Sequence, residues 1–71
     1  MHRLNPDKLL LSKWTAVKPQ NRERHFMVTT LLRDDADRIT GCVLQAVISG
    51  NDYPIDWREL KNNGVWLQGW K

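Results

Sequence analysis

A chain of 71 residues makes one domain, 1–71, and buries only about 60 % of the surface that its unfolded form exposes, so its core has to be dense. Its one cysteine, Cys42, excludes a disulfide framework; together with His2 and His25 it gives three scattered candidate ligands without paired spacing, which argues against a metal or any other cofactor. The net charge of +3 is uneven: residues 1–33 carry seven cations (Arg3, Lys8, Lys13, Lys18, Arg22, Arg24, Arg33) against two anions (Asp7, Glu23), and residues 34–71 carry four cations against six anions.

With cross-links and metals set aside, the remaining staple is aromatic. Trp14, Trp57, Trp66 and Trp70 can each bury on the order of 200 Å², a gross contribution of roughly 5 kcal/mol apiece at 25 cal/mol/Å².

In chain order, Asn5-Pro6-Asp7-Lys8 reads as a helix start. Asn accepts a free backbone N–H, Pro suits the first helical position and Asp favours the positive dipole end, so a short helix is expected over 6–11. The three leucines 9–11 are far too few for an export signal and are followed by Ser12 and Lys13 rather than a small-residue cleavage site. No stretch approaches the ~20 apolar residues of a membrane span. With an unpaired cysteine as well, the expected compartment is the cytoplasm, away from membranes.

Trp14-Thr15-Ala16-Val17 suits a strand, which Lys18-Pro19 should stop, and 19–24 reads as an exposed loop. Residues 25–33 form a long strand with Phe26, Val28, Thr30 and Leu32 on one face and Met27, Thr29 and Leu31 on the other. A polar turn at 34–38 leads to a second long strand over 40–48, with Cys42, Leu44, Ala46 and Ile48 opposite Val43 and Val47, so the two make a hairpin. Apolar residues on both faces suit the middle of a curled sheet whose second face is also covered.

Ser49-Gly50-Asn51-Asp52 signals a turn, and Tyr53, Ile55 and Trp57 alternate with Pro54 and Asp56 as a third strand, at an edge because Pro54 cannot donate a ladder bond. Asp56-Trp57-Arg58-Glu59 is a variant of the capping box, and Asn62-Asn63-Gly64 supplies the stop, leaving one helical turn between them. A closing strand spans 65–70, with Trp66 and Trp70 four apart and expected on one face. The expected class is mainly β: a small antiparallel SH3-like barrel or strongly curled sheet of four to five strands, with a short N-terminal helix and a helical turn before the last strand. An open antiparallel sheet under the N-terminal helix is the alternative.

Several segments are distinctive beyond their periodicity: Leu9-Leu10 followed by Ser12-Lys13-Trp14-Thr15-Ala16-Val17, then Pro19-Gln20-Asn21, His25-Phe26, Cys42-Val43-Leu44, Asp56-Trp57-Arg58-Glu59-Leu60 and Trp66-Leu67-Gln68-Gly69-Trp70-Lys71. In these the chain resembles the tryptophan-rich family of short bacterial conserved hypothetical proteins, a domain of unknown function, over nearly its whole length. The resemblance implies membership and a bacterial setting. It carries no catalytic residue across.

Binding chemistry centres on Lys13, Trp14, Lys18, Arg22, Arg24, Trp66 and Trp70. Cations interleaved with indoles suit a phosphate backbone and its bases, and exposed indoles equally suit the centre of a protein interface. Asp34, Asp35 and Asp37 lack the turn glycine and the terminal glutamate of a calcium loop and read as a solvated hairpin tip. Cys42 has no nearby cation to activate it, His25 has no evident nucleophile, and the Asp56 to Glu59 spacing is that of a cap. The expectation is a non-catalytic binding module. One reading is a protein-interaction or assembly domain with tryptophan anchors, taking a protein partner or a second copy; the alternative is a nucleic-acid-binding module.

Overall fold

The computed structural model describes residues 4–71. His2 and Arg3, counted above among candidate ligands and cations, lie outside the described residues. A 3-10 turn, η1 (Pro6–Lys8), precedes strands β1 (Lys13–Gln20), β2 (Glu23–Arg33), β3 (Ile39–Ala46) and β4 (Asp52–Ile55); a second 3-10 turn, η2 (Trp57–Lys61), leads to β5 (Trp66–Gln68). The strands form one antiparallel sheet in the order β4-β3-β2-β1-β5.

The sheet is not closed, because β4 and β5 are its two free edges and share no ladder. It is nonetheless strongly curled. In a flat sheet the edges of five strands stand about 19 Å apart, yet Tyr53 and Ile55 of β4 line the same cleft as Val65 and Trp66 beside β5. Of the two expected forms the closed barrel is not the one adopted: the sheet curls but leaves a gap, and η2 carries the chain from one edge to the other.

The core occupies the inner face. Trp14, Phe26, Val28, Cys42, Leu44 and Ala46 come from three strands, and Leu9 and Leu60 from the segments of the two 3-10 turns. Asn5 caps η1 by accepting from the Asp7 N–H (3.0 Å), as its sequence predicts. The expected helix to Leu11 stops early: the Leu11 N–H donates to the Val28 carbonyl (2.7 Å), and its φ of +66° turns the following chain into the sheet. Sheet pairing here overrides a short helix that had little propagation to gain.

Several strand boundaries differ from expectation, and the closing strand is Trp66–Gln68 rather than 65–70 because Gly69 turns the chain away. Pro19 does not end β1; it falls in an irregular stretch between the Thr15↔His25 and Gln20↔Glu23 pairs, where no regular β1–β2 ladder needs its missing N–H. Residues 19–24 are accordingly not a loop but the tip of a hairpin. Asn21 and Arg22 both take positive φ (55° and 62°), the backbone of the two-residue turn whose twist matches a hairpin. In β2 the pairing steps from Val28↔Leu44 to Thr30↔Val43, so Thr29 is an extra residue. That bulge inverts the alternation: Leu31 packs against the core, and Leu32, expected beside Val28, is exposed. Finally, β3 ends at Ala46, leaving Ile48 70 % exposed, and β4 ends at Ile55, so Trp57 opens η2 instead of closing a strand.

Candidate functional site

The seven residues singled out from sequence separate into three places. Trp14 lies in the core, 1 % exposed, with its Nε1 donating to Ser12 Oγ (2.8 Å) and Ser12 Oγ donating in turn to the Leu9 carbonyl (2.5 Å). An indole so enclosed presents no face to a base or partner, so Trp14 leaves the candidate set. The other six divide between the two faces of the sheet.

Lys13 and Trp70 lie on the outer face, and Arg22 and Arg24 border a recess that they share with His25 of that face. Trp14 and Phe26 form an inward pair, so strand alternation sends Lys13 and Thr15 of β1, with His25 and Met27 of β2, to the other side. Gly69, at φ +81°, turns the chain after β5 so that residue 70 crosses to this side. Thr15 fixes the crossing: its hydroxyl donates to the Gly69 carbonyl (2.7 Å) and accepts from the Lys71 N–H (2.9 Å), and Gly69 N donates to the Lys13 carbonyl (2.8 Å). Trp66 and Trp70, expected on one face, are thereby on opposite faces.

Trp70 remains 42 % exposed while its Nε1 donates to the Phe26 carbonyl (3.0 Å). Lys13 Nζ stands 4.7 Å from the ring centroid, a cation–π distance, and the His25 ring lies 5.9 Å away, tilted by 37°. His25 Nε2 meets the Lys71 carbonyl at 2.9 Å; a carbonyl only accepts, so this nitrogen carries the proton. His25 also lines a recess of about 280 Å³ with Arg22, Arg24, Val47 and Ile48. It thus joins the Lys13–Trp70 stack to the two arginines. Ion pairs among the described residues are Arg33–Asp37, Arg38–Asp34 and Arg58–Asp56, which leaves Lys13, Arg22, Arg24 and Lys71 without a carboxylate within 4 Å.

Lys18 and Trp66 belong to the inner side. They line a cleft of about 440 Å³ between the free edges, with Phe26, Tyr53, Ile55 and Val65 as further apolar walls. Trp66 packs edge-on against Phe26 (centroids 5.1 Å, 90°), and Tyr53 meets Phe26 at 6.1 Å. Glu23, only 4 % exposed, also lines the cleft. Its carboxylate accepts from the Ser49 hydroxyl, the Tyr53 hydroxyl (2.5 Å) and the Asn51 amide (3.0 Å). Those donors, Ser49 first and Tyr53 next, hold the Glu23 carboxyl below the usual carboxylate range, and the same bond pushes the Tyr53 phenol up.

Sequence reading missed Glu23, which falls in what reads as an exposed loop. Ser49 and Asn51 belong to the turn before β4, where Gly50 takes φ +78°, so no strand period in the sequence marks their meeting with Glu23.

The remaining candidates are occupied structurally. Asp34 Oδ1 accepts from the Ala36 and Arg38 N–H groups (2.9 Å each), so this carboxylate builds the β2–β3 turn. Asp56 caps η2 by accepting from the Arg58 N–H (2.9 Å). Burial pushes the Cys42 thiol up to about 11, away from nucleophilic thiolate. Among the described residues no group of three or more His, Cys, Asp or Glu side chains could hold a metal ion, and no helix is long and apolar enough to cross a membrane.

The tryptophan-rich protein family (DUF2389) matches the chain over residues 12–71. No curated protein and no solved structure matches it.

Proposed function

The chain belongs to the tryptophan-rich protein family, and from that premise we propose that it is a non-catalytic module that binds single-stranded nucleic acid on its outer face. The observation that carries this reading is that His25 joins the Lys13 stack on the half-exposed indole of Trp70 to a recess lined by Arg22 and Arg24, with Lys71 next to Trp70 in the chain and none of these four cations within 4 Å of a carboxylate among the described residues. Phosphates need unpaired cations, because a cation already held by a carboxylate releases no counterion on binding. Unstacked bases need an aromatic platform beside them. His25 supplies a further ring and holds the end of the tail that carries Trp70.

The fold serves this role as a small scaffold of SH3-like strand pattern, with one helical turn before the last strand. A buried unpaired thiol suits the reducing cytoplasm as its site of action.

Titration with a fluorescently labelled oligonucleotide across salt concentrations tests the proposal. Four phosphate contacts to a single strand give a log–log salt slope of about −3, and Trp70→Ala weakens binding by roughly 1 to 3 kcal/mol. Absence of binding at low salt, or an affinity indifferent to Trp70, would overturn it.

A second reading, a protein-interaction or assembly module, is favoured by Val47 and Ile48, exposed apolar side chains bordering the same recess. It predicts association with a partner or second copy that persists at high salt, which sedimentation in about 1 M salt, where the Debye length shrinks to about 3 Å, separates from phosphate binding.

A further inference from the structure

We infer that the cleft between β4 and β5 seats a cationic side chain, lysine or arginine, of an extended segment of a partner polypeptide. This site lies on the opposite face from the Lys13–Trp70 stack and stands independently of the nucleic-acid reading.

The walls are the first reason. Phe26, Tyr53 and Trp66 surround a cleft of about 440 Å³, which is room for an aliphatic stem and its charged end. Aromatic faces attract cations through the ring quadrupole, and apolar walls receive the methylenes of lysine or arginine. The second reason is charge. The side chains that hydrogen-bond Glu23, those of Ser49, Tyr53, Asn51 and Asn21, are all neutral, so its negative charge is solvated by dipoles and not cancelled by a cation. Its field therefore reaches the cleft that it lines. Tyr53 adds to this effect, because donating its O–H to a carboxylate at 2.5 Å draws electron density onto the phenol ring, whose side chain remains 37 % exposed.

The free edges select a polypeptide over a small free amine. β4 pairs on one side with β3 and β5 on one side with β1, and each turns its other edge to the gap. An extended segment can add main-chain hydrogen bonds to such an edge while one of its side chains enters the adjoining pocket. Lys18 also lines the cleft and has no carboxylate within 4 Å among the described residues. It is a like charge at the rim, so it opposes a cationic guest and would favour an anionic one.

Nuclear magnetic resonance titration with three probes tests this: the blocked peptide Ala-Ala-Lys-Ala-Ala, its norleucine counterpart, and n-butylammonium. The lysine peptide is expected to shift the Trp66 indole N–H and the β4 and β5 amides saturably, with the norleucine peptide about tenfold weaker. Lys18→Ala should tighten the lysine peptide. Glu23→Gln should erase the preference for lysine over norleucine, and Tyr53→Phe, which leaves the Glu23 charge in place, should reduce it if Glu23→Gln unfolds the turn. The inference is overturned by no shift at about 20 mM peptide, by equal affinity for norleucine, or by weaker binding in Lys18→Ala. Binding of n-butylammonium as tight as that of the lysine peptide overturns the choice of a polypeptide.

Discussion

Trp14 and Trp70 are the same side chain, each next to a lysine in sequence, yet one is 1 % exposed and the other 42 %. The first is locked between strands of the inner face, with its N–H closed onto Ser12. The second lies across the outer face, with its N–H tied to the Phe26 backbone and its ring against Lys13 and His25. Composition alone makes them equal; strand register and the turn at Gly69 make one a core residue and the other a surface platform. Counting tryptophans therefore says little about binding until each is assigned a face.

Substitutions should divide along the same line. The largest effect is expected inside: Trp14→Ala should cost about 3 to 5 kcal/mol, the usual range for a buried aromatic, and thermal melting would show it. A wild-type melting temperature for this variant would dissolve the distinction between the two faces. Gly41→Ala comes next. A Cβ there would stand 2.6 Å from the Ile55 carbonyl oxygen, so β4 must move away from β3, at a cost of roughly 1 to 3 kcal/mol. Because β4 carries one wall of the cleft, the same variant should disturb the Tyr53 and Trp66 resonances and leave those of Trp70 in place.

Glu23 gives a pH-dependent contrast. Its folded pKa lies below the ordinary 4.5, so the carboxylate form is the stabilised one. The sign follows: its contribution is complete above that value and is lost as the pH falls through the lowered folded value. Acid denaturation followed by circular dichroism should therefore show a steeper loss of stability below pH 4.5 in the wild type than in Glu23→Gln. Parallel acid profiles would mean that the carboxylate contributes nothing in its buried setting.

How much of this is legible in the sequence depends on the range of the interaction responsible. The Asn5 and Asp56 caps, the β2–β3 hairpin and the edge position of the Pro54 strand follow from chemistry acting over a few residues, and the structure has them. The Thr29 bulge is not legible, because one unpaired residue in an apolar run leaves the pattern intact while changing which leucine turns inward. Arg22 at positive φ gives no cue either, since arginine has no special affinity for that conformation. Both candidate sites depend on contacts between distant segments. Thr15 grips Gly69 and Lys71 across more than 50 residues, and Glu23 meets Ser49, Asn51 and Tyr53 across 26 to 30. Residue types at those positions were visible, but their meeting was a matter of topology.

The smallest expected change in stability accompanies the most telling change in binding. Replacing Arg22 and Arg24 together by alanine touches no core residue and should leave the melting temperature within the equivalent of about 0.5 kcal/mol. The salt dependence of oligonucleotide affinity should nevertheless shift from a log–log slope of about −3 to about −1.5, as two of four phosphate contacts disappear. A slope unchanged in the double variant, in a protein that melts like the wild type, would contradict the assignment of the outer face.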